Sequence, residues 1–72
     1  MAKFIGKGFL EPYSCEIILT EPVRVADLGN LFHLPKEYTS NLIAVRGSVK
    51  LDFNDFVYDA DEIVLFLAPM GG

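Results

Sequence analysis

Glu62-Ile63-Val64-Leu65-Phe66-Leu67 is the stretch on which the fold of this 72-residue chain turns. Five apolar residues follow one another, too few for a buried helix and closed by Ala68-Pro69. A run apolar on both faces reads as a central strand covered on both sides. Beyond it, Pro69 cannot donate to a strand ladder and Gly71-Gly72 carry no side chains to pack. The expected division is a folded domain over 1–67 and an extended tail over 68–72.

Upstream of this strand, Asp52–Asp61 reads as an acidic loop with Phe56 and Tyr58 as its anchors. Leu42–Arg46 and Val49–Phe53 read as two strands joined at Gly47-Ser48, because glycine accepts the positive φ of a tight hairpin turn. Lys36–Asn41 is a polar connection. Before it, Val25, Leu28 and Phe32, with Leu31 beside them, lay out one apolar helical face over Val25–His33. Pro35 stops that helix, and Gly29 inside it costs about 1 kcal/mol relative to Ala, so it depends on packing against a sheet. Ser14–Thr20 alternates, with Cys15, Ile17 and Leu19 on one face and Glu16, Ile18 and Thr20 on the other. Lys3–Phe9 is a glycine-weakened strand that reaches it through a turn at Glu11-Pro12-Tyr13. The order hairpin, helix, hairpin, buried strand predicts an α+β roll of the β-grasp kind. It has a mixed sheet of four to five strands on one short helix, with the last strand in the middle.

Composition limits what such a domain can do. With 51% apolar residues and six Phe the chain has enough to build a core, so disorder is excluded. A domain this small buries only about 60% of the surface of its unfolded chain, so support from a partner is expected. One Cys forms no internal disulfide, and one Cys with one His cannot complete a four-ligand zinc site or a cysteine-ligated iron–sulfur cluster. No bound cofactor and no metal are expected. Ten acids against six bases give a net charge of −4, the wrong sign for nucleic acid. The excess lies in residues 37–72, where Glu37, Asp52, Asp55, Asp59, Asp61 and Glu62 face only Arg46 and Lys50. That half is either a guide for a basic partner surface beside the C-terminus or a solvated face. No run approaches the roughly 20 apolar residues of a membrane helix, and MAKFIGKGFL forms no secretory signal region. A cytoplasmic location, with no membrane partner, is the expectation.

Few residues carry a chemistry of their own. The acidic segment from Asp52 fails the register of a calcium loop, since Val57 stands where that loop requires Gly. Gly6-Lys7-Gly8 lacks the ending of a phosphate loop. Cys15 reads as a small core residue, and His33 as a helix-terminal side chain favoured by the dipole. No catalytic side chain is expected. Gly71-Gly72 stand apart: a terminal pair without Cβ atoms passes through channels that any side chain would block. The five residues after Leu67 reach at most roughly 17 Å, enough to enter another protein's active site.

The run from Asp59 to Gly72, DADEIVLFLAPMGG, resembles the end of the ubiquitin-like sulfur carriers. That family includes the thiamine-biosynthesis sulfur carrier and the small subunit of molybdopterin synthase. Its pattern is Asp-Gly-Asp, an apolar strand, a few tail residues and a terminal Gly-Gly. Val25-Ala26-Asp27-Leu28 is similar to the start of the family helix, and Val45-Arg46-Gly47 to its Val-Asn-Gly hairpin. Ala60 stands in place of the family's turn glycine, and Arg46 in place of its Asn. The resemblance implies that a partner adenylating enzyme, related to ubiquitin-activating enzymes, uses ATP to activate the carboxylate of Gly72. A sulfur donor then makes a thiocarboxylate, which delivers sulfur to a molybdopterin, tungstopterin or thiamine precursor on a recipient synthase. Gly72 would carry the sulfur, Gly71, Met70 and Pro69 would thread the partner's active site, and the chain would be a co-substrate and not an enzyme. Two rivals share these features: a ubiquitin-like modifier conjugated through Gly72, and a β-grasp adaptor making only non-covalent contacts. Phe66, with Ile18 and Met70, is expected to dock on partners from the sheet face opposite the helix. The alternative is that Phe53, Phe56 or Tyr58 covers that face.

Overall fold

The computed structural model describes residues 1–69. From the N-terminus, β1 (Ala2–Gly6) runs into a 3-10 helix at Gly8–Tyr13 and returns as β2 (Cys15–Ile17). β3 (Val23–Arg24) leads through a 3-10 turn at Val25–Asp27 into α1 (Leu28–Leu31), and α2 (Lys36–Ser40) follows. The chain then forms β4 (Leu42–Arg46), β5 (Val49–Lys50), β6 (Phe56–Val57) and β7 (Glu62–Leu67). Five strands make a mixed sheet in the order β2-β1-β7-β4-β5, in which only the β1–β7 pair is parallel. β3 and β6 form a separate antiparallel pair. The molecule is thus a small α+β domain with the last strand in the middle of its sheet, as its apolar run predicts.

Alternation decides which face of each strand is buried. Ile63 and Leu65 of β7, Ala2 and Phe4 of β1, and Leu42 and Ala44 of β4 point to one side. There they meet Leu10, Val25, Leu28, Leu51 and Val57 from the helical turns and loops. Phe32 closes edge-on over Phe4, with ring centroids 4.9 Å apart, a contact worth about 0.5–1.5 kcal/mol beyond its buried area. Among the described residues, β7 is covered on this side only. Val64 and Phe66, expected to be covered as well, stay partly exposed on the other side because every helical segment packs on the same face of the sheet.

Several expected boundaries shift for local reasons. β1 ends at Gly6, not Phe9, because the chain turns back there against the carbonyl of Leu10. A Cβ at Gly6 would overlap that carbonyl, and the Gly6 N–H is taken by Ser14 Oγ at 2.9 Å. The connection to β2 is therefore a 3-10 helix that plugs the core with Leu10. β2 is shorter than Ser14–Thr20, although Cys15, Ile17 and Leu19 do face the core and Ile18 does not. The helix expected over Val25–His33 is one 3-10 turn followed by one α turn, ending as His33 takes a φ of 57°.

Lys36–Asn41, read as a polar connection, holds α2 instead; Pro35, expected to stop the first helix, sits as the N-cap of the second, because the first has already ended at Leu31. β5 stops at Lys50 because Leu51 turns inward, its N–H donating to the Ala44 carbonyl at 2.8 Å. The acidic loop contains β6, and its anchor is Val57, fully buried; Phe56 and Tyr58, read as the anchors, are 39% and 50% exposed. Phe56 instead lies under the Arg24 guanidinium, 5.2 Å from the ring centroid. Among the described residues no helix is long and apolar enough to cross a membrane.

Candidate functional site

The point where the chain leaves the sheet is set by one hydrogen bond. Leu42 pairs with Leu67 at the end of the β4–β7 ladder, and the next residue, Ala68, donates its N–H to the Asn41 carbonyl at 2.8 Å. β7 therefore ends at Leu67, with the Ala68 N–H as its last tie to the neighbouring segment. Pro69 has no N–H with which to extend it, and it lies exposed. Met70, Gly71 and Gly72, read above as threading residues and sulfur-bearing terminus, lie outside the described residues.

Two grooves meet on Ala68. One, of about 220 Å³, is lined by Asn41, Leu42, Lys50, Leu51 and Phe53 among others. The other, of about 540 Å³, is bounded by Phe9, Glu37, Tyr38, Leu67 and Pro69. The root of the tail is thus flanked by two exposed aromatics on different loops, Phe9 and Phe53. Sequence reading missed Phe9 as a site residue because it placed Phe9 inside a strand.

The second feature is the open side of the sheet. Phe66 stands opposite Ile43, Val64 opposite Val45, and Ile5 of β1 lies level with Val64. All five are partly exposed, and none packs against the core cluster. Lys3, Glu16, Glu62 and Lys50 extend the same face into a charged rim. Of the three loop aromatics that might have covered it, Phe53, half exposed, lines a groove with Ile43 at one end, Tyr58 is half exposed, and Phe56 lies under Arg24 of β3. Ile5, Ile43 and Val45 were legible as the second phase of alternation in KFIG and LIAVR.

Ile18 does not join this patch. Ala2 pairs with Ile17 and Lys3 with Glu62, so Ile18 sits just beyond the Glu62 end of β7, level with Ala60, while Phe66 sits six strand steps away, roughly 20 Å. It is 70% exposed. Its neighbour Leu19 donates its N–H to Asp59 Oδ1 at 2.8 Å.

Three acids gather at the same end of the sheet, whereas Glu37 and Asp52 line the grooves that meet on Ala68. Asp59 faces the amino group of Met1 at 3.5 Å, Glu62 faces Lys3 at 3.7 Å, and Asp61 accepts from Arg46 at 2.9 Å. The Leu19 N–H, with the Met1 amino group adding to it, holds the Asp59 carboxyl below its ordinary value. Arg46 also donates to the Phe56 carbonyl, and Asp61 Oδ2 accepts the Tyr58 N–H. The turn Tyr58–Asp61 closes through the Asp61 N–H and the Tyr58 carbonyl without a positive φ at Ala60, which is why it needs no glycine there. Three of the six acids of the second half therefore serve the fold through local pairs.

The remaining candidates stay ordinary. Cys15 lies half-buried on the core side of β2, and burial raises its thiol pKa, the opposite of an activated nucleophile. No group of three His, Cys, Asp or Glu side chains gathers as metal ligands among the described residues. What the arrangement offers is presentation: an apolar sheet face and, at its edge, an extended segment leaving the central strand. No protein-family model matches the chain, and no curated protein matches it.

Proposed function

We propose that this chain is a sulfur carrier on a β-grasp, ubiquitin-like fold, acting through the carboxylate of Gly72. The carrying observation is that the central strand ends at the Ala68–Asn41 tie and hands the chain to Pro69 at the rim of an exposed apolar surface. The roll itself is supported by the parallel pairing of the first and last strands, with a hairpin outside each and the main helical layer between.

In this reading the domain contributes no general base and no nucleophile. A Gly72 carboxylate oxygen attacks the α-phosphorus of ATP on the partner enzyme, and pyrophosphate leaves. Sulfide then attacks the acyl carbon and expels AMP, leaving a thiocarboxylate. The thiocarboxylate sulfur is the soft nucleophile that a recipient synthase directs at a cofactor precursor. The open face with Phe66 docks the carrier on these two enzymes, in a cytosolic setting where ATP and reduced sulfur coexist.

Intact-mass measurement tests this. The full chain is incubated with ATP, sulfide and the ubiquitin-activating-like adenylating enzymes of its source cell. A mass gain equal to the exchange of one oxygen for sulfur, placed on Gly72 by fragmentation, is the expected result. An isopeptide to lysine in its place assigns the chain to the modifiers, and no change with every candidate enzyme rejects the carrier.

A further inference from the structure

The groove beside Pro69 has a feature that the open sheet face does not share. Phe9 is 77% exposed, the most exposed of the large apolar side chains, yet it sits on a well-tied segment. Leu10 next to it is fully buried and donates its N–H to the Lys7 carbonyl at 3.0 Å, while Ser14 donates to Glu11 at 3.1 Å and holds the Gly6 N–H. The ring is therefore held in water by a fixed turn. A phenyl group left there forgoes about 25 cal/mol for each Å² that a partner could cover. Across the groove stand Tyr38 and Leu67, both half-buried against the core, and Glu37, whose carboxylate enters no ion pair among the described residues.

Chain length says what occupies it. This step rests on the sulfur-carrier reading, in which Gly72 is the reacting residue. Gly72 is three residues beyond Pro69, and three extended residues span at most about 11 Å. An enzyme that holds the Gly72 carboxylate beside ATP must therefore bring the rim of its cleft to within that distance of Pro69, which is itself a wall of the groove.

We infer that this groove seats the rim of the adenylating enzyme's tail channel. An apolar side chain of the enzyme enters between Phe9, Tyr38 and Leu67, and a lysine or arginine faces Glu37. Phe9 is then a docking hot spot: an aromatic at the centre of a closed contact, next to the point where the tail is swallowed.

Pyrophosphate–ATP exchange with the full-length chain as the varied substrate tests it. Phe9→Ala is expected to raise KM roughly tenfold to thirtyfold with kcat within about twofold, and raising its concentration restores the full rate. Glu37→Lys is expected to raise KM by roughly threefold to tenfold through like-charge repulsion. Val49→Ala, an exposed apolar truncation at the other end of β4 from Leu42, leaves both constants unchanged. Because the Phe9 ring is in water, the thermal midpoint of Phe9→Ala should match that of the parent chain. Exchange by the parent chain with an unchanged KM for Phe9→Ala overturns the docking inference while leaving the carrier reading intact. A fall in kcat at an unchanged KM does the same. No exchange by the parent chain with any adenylating enzyme overturns the carrier reading and this inference with it.

Discussion

Asp59 shows how one side chain can serve the fold while looking like part of an acidic patch. Its carboxylate accepts the Leu19 N–H and faces the Met1 amino group, so it joins the end of β2 to the turn before β7. Both contacts favour the charged form, and the carboxyl is held below its ordinary value. A depressed folded-state pKa contributes stability that is present above the unfolded value, near 3.9 for Asp, and is lost as pH falls through the folded one. Asp59→Asn keeps an oxygen for Leu19 but removes the charge. Urea unfolding is expected to show the parent chain more stable than Asp59→Asn at about pH 6, with the gap closing at about pH 3. A gap that does not change with pH would mean that hydrogen bonding alone, and not ionisation, does the joining. Arg46, which the family resemblance marks as a departure, has an equally local reason: it ties Asp61 and the Phe56 carbonyl together.

At the scale of elements, legibility followed the length of the apolar pattern. β4 and β7 have the bounds that their sequences predict, since each is a run of apolar residues with turn-forming neighbours. The pieces misread are those made by contacts distant in sequence. β6 exists because Phe56–Val57 finds β3 across more than thirty residues, and two-residue strands carry no periodicity to read. α2 is a single polar helical turn that Pro35 starts, with no buried residue to mark it. At Gly29 the packing reverses the sign expected from helix propensity. This glycine was read as a helix-weakening residue, but it is buried against α2, where an added Cβ would overlap the Thr39 side chain. Gly29→Ala would gain about 1 kcal/mol from helix propensity, yet the overlap with a short, stiff side chain costs about 1–3 kcal/mol. The expected outcome is a net loss of about 1 kcal/mol in the unfolding free energy. Thr39→Ala, leaving only a Cβ 3.0 Å away, should restore stability in the Gly29→Ala background. The same change in the parent chain should be neutral or mildly destabilising. Coupling of the two substitutions in a double-mutant cycle measures this; simple additivity would place the α1–α2 contact elsewhere.

For the whole molecule, the central strand divides its labour between two faces. The Gly-Gly pair after a proline was readable as composition, whereas the surface around Pro69 was not. Phe9 and Tyr38 come from segments far apart in sequence, and only the folded chain brings them to Leu67. The open face itself was half legible: Phe66 lies on it beside Ile43, but register carries Ile18 to the other end of the sheet. Adjacent residues of β7 should therefore respond to truncation in opposite ways. Leu65 is buried in the core cluster between Gly6 and Ala44 of the flanking strands, so Leu65→Ala opens a cavity and is expected to cost about 2–5 kcal/mol. Because its side chain does not reach the open face, the fraction of that variant that remains folded should be activated with the parent's KM. Phe66 stands partly exposed beside Ile43 and packs against no core residue. Phe66→Ser is expected to cost only about 1 kcal/mol, while raising KM for the activating enzyme roughly tenfold if the open face docks there. Urea unfolding and exchange kinetics on the same two preparations separate the effects. Losses in both properties for both variants would mean that β7 transmits strain across the sheet, and the two-faced division would fail. The reciprocal result, stability moved by Leu65 and recognition moved by Phe66, would place the fold and the partner surface on alternate residues of one six-residue strand.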